Sequence, residues 1–159
     1  MKSLLVLLSL LLPSILYAGS IDNHVALADL KQVKIVCDVN VGAPELLLQR
    51  LELIDESYSQ LLDAAVAPTV VITFRGEASR YVTRGDGHVA ADALETKKAI
   101  GLLIDQFQRN GIRMEQCAIA ARARHIDPTD FLPAVDVVQN GYVSIVAYQN
   151  RGYALLPMD

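Results

Sequence analysis

Apolar and polar positions change their period several times along this chain, and the changes mark its elements. Val33 to Val39 is a run rich in β-branched residues, bounded by Asn40 and Gly42, and it predicts a first strand. The pattern then becomes helical: Leu47, Leu51, Ile54, Tyr58 and Leu61 form one apolar stripe over about residues 44–65, with Pro44 in the first turn and Pro68 beyond the end. Thr69 to Phe74 predicts a second buried strand, stopped at Arg75 and Gly76. Glu77 to Ala90 is the least regular stretch. A second long helix follows over 93–109, with Ile100, Leu103, Ile104 and Phe107 on one face and Asn110 and Gly111 as its stop.

The next segment alternates: Ile112, Met114 and Gln116 interleave with Arg113, Glu115 and Cys117, which predicts a short strand rather than a continuously apolar one. An alanine-rich, helix-favouring turn begins straight after Cys117. Ala134 to Val138 predicts a fourth strand, and Gly152 to Pro157 a last one. Between them, Asn140 to Gln149 carries β-branched residues that favour strand, while Asn140 and the α/β alternation favour helix; helix is chosen. Strands alternating with helices imply parallel pairing and right-handed crossovers. The predicted fold is therefore a three-layer, flavodoxin-like α/β sandwich with a mostly parallel sheet of about five strands.

The first twenty residues read differently. Lys2 is their one charge, Leu4 to Leu12 is an apolar run broken only by Ser9, and Ala18, Gly19 and Ser20 are small. This is the pattern of a secretory signal peptide over 1–18, cleaved after Ala18 or two residues later, and it leaves one domain over 19–159. The run is short for a membrane anchor. The expectation is a soluble exported protein, periplasmic in a Gram-negative source. Lys2 belongs to the leader, so the full chain's 14 basic and 18 acidic residues, a net of −4, become about −5 after cleavage. That balance argues against nucleic acid or an anionic membrane as partner.

Candidate chemistry centres on sulfur. Cys117 stands where a strand's carboxyl end meets a helix amino terminus, whose unpaired amides and dipole favour thiolate. Ligands of open α/β sheets gather beyond the carboxyl ends of the strands, and Asn40, Arg75 and Cys117 all fall at such ends. Arg122 follows Cys117 within two helical turns and is a further candidate for binding an anion. Cys37, in mid-strand between Val36 and Asp38, reads as a core thiol. The exported context raises a Cys37–Cys117 disulfide, and the placement of both residues on one parallel sheet argues against it. No Cys-x-x-Cys, paired-histidine or carboxylate-rich loop motif is present, so no metal site and no cofactor are expected. Arg84, Gly85 and Asp86 read as turn chemistry, not as an adhesion motif, and Tyr148 and Tyr153 as oligomer packing.

Four segments carry a resemblance: Val33 to Asn40, Val70 to Gly76, Asn110 to Cys117 and Tyr148 to Tyr153. Together they make the chain similar to the DsrE/DsrF-like family, which includes the TusBCD-type sulfur relay proteins, and within it to the small exported members. The resemblance implies a flavodoxin-like fold, a homo-oligomer, and a reactive cysteine after the third strand that carries sulfur as a persulfide; Cys117 holds that position. Many relatives have a histidine before the glycine that ends the second strand. Arg75 stands there here, so histidine-dependent proton transfer is not implied, although an arginine can stabilise a thiolate or an anionic sulfur species. The expected function is an exported sulfur carrier or sulfurtransferase using a sulfur donor or acceptor as partner. The alternatives are a non-catalytic oligomer that binds a small anion or a partner, and thiol-disulfide exchange should Cys37 reach Cys117.

Overall fold

A computed structural model describes residues 21–159; the leader expected over 1–18 lies outside the described residues. Five parallel strands form one sheet: β1 (Gln32–Val39), β2 (Ala67–Phe74), β3 (Arg113–Cys117), β4 (Asp136–Val138) and β5 (Ala154–Met158), in the order β4-β3-β2-β1-β5. A short α1 (His24–Leu27) precedes β1. The predicted sandwich and its parallel sheet are present, and the alternating β3 is the short strand its pattern predicts.

The strand order decides which face each helix covers. The chain steps from β1 to β4 in one direction across the sheet, so right-handed crossovers place α2 (Pro44–Asp63), α3 (Leu94–Arg109) and the six-residue α4 (Ala118–Ala123) on one side. The return from β4 to β5, beyond β1, reverses that direction. It puts α5 (Gly141–Asn150) on the opposite face, against β1, β2, β3 and β5. Side chains follow the pleat. Cys37, Val39, Ile72, Phe74 and Met114 join Leu47, Leu51, Ile100, Ile104 and Phe107 in the large core, whereas Val36 and Val71 pack with Ile145 under α5.

Local chemistry sets the ends. Pro44 and Glu45 open α2. α3 stops in a Schellman turn: Gly111, at φ 73°, donates to Gln108 O, and Ile112 donates to Phe107 O at 3.0 Å. Asn140 starts α5 by accepting the Tyr142 amide on its side chain at 3.0 Å, which settles the ambiguous segment as helix.

The stretch after β2 is more ordered than its sequence suggests. Gly76–Val82 forms a 3-10 helix that buries Ala78, Ser79, Tyr81 and Val82. Beneath the Arg84-Gly85-Asp86 turn, the buried Lys97 ammonium binds Gly85 O and, at 3.1 Å, the Asp86 carboxylate. The turn is thus fastened to α3 from below. Tyr148 and Tyr153 pack against the small core under α5: their rings meet edge-on at 5.0 Å, and Tyr148 donates to Glu115 at 2.7 Å.

Candidate functional site

The register brings the predicted strand ends together. Val39, Phe74 and Gln116 are partners across β1, β2 and β3, so Asn40, Arg75 and Cys117 follow as the next row, at the carboxyl edge. Two residues back lies a polar row on the face covered by α5: Asp38, Thr73 and Glu115. Cys117 and Arg75 share that face, because residues two apart on a strand point the same way.

Cys117 is only 1% exposed. What covers it is the first turn of α5: a Cβ built on Gly141 would lie 2.9 Å from Thr73 Cγ2, 3.0 Å from Cys117 Cβ and 3.6 Å from Cys117 Sγ. Only glycine lets the helix start approach this closely. The helix end packed on the thiol is therefore that of the ten-residue α5, on the far side of the sheet from α2 and α3. The sequence pointed only to the helix that follows Cys117 in the chain, and that one, α4, has just six residues.

Arg75 lies beside Cys117 and is tied on several sides. Its Nε and Nη2 donate to the two oxygens of Asp38 at 2.5 and 2.6 Å, and Nη1 donates to the Tyr142 hydroxyl at 2.9 Å. The guanidinium also stacks over the Tyr142 ring, 4.6 Å from its centroid. The hydrogen bond that Arg75 donates to Asp38 raises the Arg75 pKa above its ordinary value; burial opposes this, and the charges of Asp38, Tyr142 and Cys117 add to it. A bidentate arginine–carboxylate pair at these distances fixes the guanidinium plane.

Asn40 is half-buried, and its backbone oxygen and Cβ lie 3.0 and 3.2 Å from the place a Cβ would take on Gly76, which has a φ of 59°. Asn40 thus shapes the turn that carries Arg75 out of β2. Arg122 is exposed on α4. Its neighbour Arg124 turns inward instead, pairing with Glu77 at 2.8 Å and donating to Ala120 O at 3.4 Å.

Cys37 belongs to the other side. Its register partners are Ile72 and, through it, Met114, three residues before Cys117, so the two cysteines point to opposite faces from strands separated by β2. Two strand spacings, about 9.6 Å, exceed the reach of a disulfide. Both thiols are free and buried, and burial pushes the Cys37 thiol up to about 12. Cys37 therefore cannot serve Cys117 as a resolving partner, and thiol-disulfide exchange between them is excluded in this fold.

Asp38, Thr73, Gly141 and Tyr142 complete the site and were not singled out from the sequence. The sign was there for two of them: Asp38 and Thr73 are polar residues flanked by apolar ones near the ends of their strands, two positions before Asn40 and Arg75. Gly141 and Tyr142 come from a distant segment, and only the crossover of α5 brings them in. Among the described residues no group of three or more His, Cys, Asp or Glu side chains is placed to hold a metal ion, and no helix is long and apolar enough to cross a membrane.

No curated protein matches the chain. A solved protein of unknown function from Methanobacterium thermoautotrophicum shares the fold, with a TM-score of 0.61 and 19% sequence identity over 79% of this chain and 98% of that one. The model of the DsrE/DsrF-like family matches residues 50–158, which include β2, β3 and α5 and so Thr73, Arg75, Cys117, Gly141 and Tyr142, and the chain belongs to that family.

Proposed function

We propose that this protein is an exported sulfur carrier, or a sulfurtransferase, that holds sulfur as a persulfide on Cys117. The observation that carries the reading is the contact between Cys117 and Gly141. A thiol at the carboxyl edge of a parallel sheet is packed against the amino terminus of a ten-residue helix, and Arg75, at the end of the neighbouring strand, interacts with it electrostatically. A helix amino terminus and a cation both favour a negatively charged sulfur. In the loading step the Cys117 proton goes to solvent and Sγ attacks the outer sulfur of a donor such as thiosulfate or a polysulfide. A new S–S bond forms, the donor's own bond to that sulfur breaks, and the leaving group departs with the electron pair. From thiosulfate the leaving group is sulfite.

At 1% exposure the thiol meets no donor until the first turn of α5 lifts. Arg75, held by Asp38 and holding Tyr142 in turn, is the latch on that turn. The same burial favours the second reading, a non-catalytic binding protein in which Cys117 is a packed core thiol. Incubation with thiosulfate or polysulfide followed by mass spectrometry decides between them. One added sulfur atom on Cys117 supports the carrier, and an unmodified Cys117 beside full loading of a known relay protein supports the binding protein.

A homo-oligomer and export belong to the same proposal. Tyr142, Val143 and Val146 on the outer side of α5, with Leu155 of β5 on the same sheet face, are between 41 and 63% exposed, and among the described residues α5 is the one helix on that face. A second copy is the partner such a surface suits. The signal-peptide pattern of residues 1–18 supports export.

A further inference from the structure

Thr73 is fully buried, and its hydroxyl has no hydrogen-bond partner. Such a group burdens the folded protein, because an apolar side chain of the same shape would avoid the desolvation it suffers. Its place gives the reason. Thr73 lies on the sheet face that bears Cys117, one strand away, and its methyl group and Cys117 Cβ meet Gly141 at the same spot, at 2.9 and 3.0 Å. The methyl branch therefore lies in the seam between the thiol and the first turn of α5, and the hydroxyl is carried on the same Cβ.

We infer that the Thr73 hydroxyl is the hydrogen-bond donor that holds the outer, anionic sulfur of a Cys117 persulfide, an inference that rests on the carrier reading above. The bare thiol makes no hydrogen bond with this hydroxyl. A second sulfur extends the side chain by one S–S bond, about 2.05 Å, and presents a charged acceptor. The helix start offers a companion donor. Asn140 takes the Tyr142 amide on its side chain and the Val143 and Ser144 amides on its carbonyl, which leaves the Gly141 amide uncommitted at the same wall. Glu115, the cross-strand neighbour of Thr73, makes no bond to the hydroxyl: its Oε1 accepts from Tyr148 at 2.7 Å and from Arg113 at 3.0 Å, and its Oε2 is buried without a partner. Thr73 is thus a positioning residue whose hydroxyl stays unpaired until sulfur arrives.

Two variants separate this role from packing. Thr73→Val keeps the shape and loses the hydroxyl; Thr73→Ser keeps the hydroxyl and loses the methyl group. The wild type and both variants are loaded with inorganic polysulfide without oxygen, freed of excess reagent, and followed over time by intact mass and by cyanolysis of the persulfide. Thr73→Val is expected to shorten the persulfide lifetime roughly tenfold, the worth of one hydrogen bond to a charged group, while its Tm is unchanged or higher. Thr73→Ser is expected to keep the wild-type lifetime. Equal lifetimes in wild type and Thr73→Val overturn the inference and leave the carrier reading standing. So does a lower Tm in Thr73→Val, which would mean that the hydroxyl is already satisfied in the sulfur-free protein. A wild type that takes up no sulfur overturns the carrier reading and this inference together, before any variant is compared.

Discussion

Arg75 gives hydrogen bonds to both oxygens of Asp38 and to the Tyr142 hydroxyl, so the guanidinium is fastened before any ligand arrives. Under the proposed function its first effect would be on access to Cys117. Tyr142→Phe keeps the ring under the guanidinium and removes one hydrogen bond, and it should speed alkylation of Cys117 by iodoacetamide roughly fivefold, as loss of about 1 kcal/mol from the latch implies. Arg75→Met removes all three bonds and should speed it further. Unchanged rates in both variants, read by mass spectrometry, would mean that the latch does not govern α5. Cys37 differs in kind, since burial alone raises its pKa from 9.0 to about 12. The folded state therefore holds the Cys37 proton that the unfolded chain releases above pH 9.0. The stability tied to that proton is fully present below pH 9.0 and is lost as pH rises toward 12. Denaturant titrations across that window should show a shallower decline in Cys37→Ala than in wild type, once both are referred to their values at pH 8. Parallel curves would contradict this burial.

At the scale of elements, α5 does the most to form the site and was the hardest to place from sequence. Its seat depends on Gly141, so Gly141→Ala should destabilise the protein by about 1–3 kcal/mol through overpacking against Thr73 and Cys117. Adding Thr73→Ser, which removes the methyl group in the way, should recover part of that loss in a double-mutant cycle read by urea unfolding. Additive effects would mean that the helix start is not packed as described. The apolar stripes of α2 and α3 and the β-branched runs of β1 and β2 were legible because one period held over many residues, as with Leu47, Leu51 and Ile54. Asn140 carried the decision for α5, where side-chain periodicity was silent. The residues 76–82 gave no such signal, because the 3-10 turn is made by tertiary burial of Ala78, Ser79, Tyr81 and Val82 and not by a repeat. Cys117 and Arg75 were legible as strand ends. Their cover was not, since it comes from a segment more than twenty residues past Cys117 that a reversed crossover carries to the other face.

For the whole molecule, the strand order leaves the two sheet faces unequal: among the described residues α2 and α3 bury one, while α5 is the one helix on the other. The exposed Tyr142, Val143, Val146 and Leu155 lie on this thinner side. Val143→Glu with Val146→Glu should convert an oligomer into a monomer in sedimentation velocity while the Tm of the subunit is retained. A wild type that sediments as a monomer at high concentration would remove this interface. Such an interface would lie over the turn that guards Cys117, because Tyr142 belongs both to the exposed patch and to the latch on Arg75. The most direct measurement is peptide mass mapping of the protein after anaerobic incubation with polysulfide and removal of excess reagent. The predicted result is one extra sulfur atom on Cys117 and none on Cys37. Sulfur on Cys37, or none on Cys117 while a known relay protein is fully loaded in the same mixture, would contradict it.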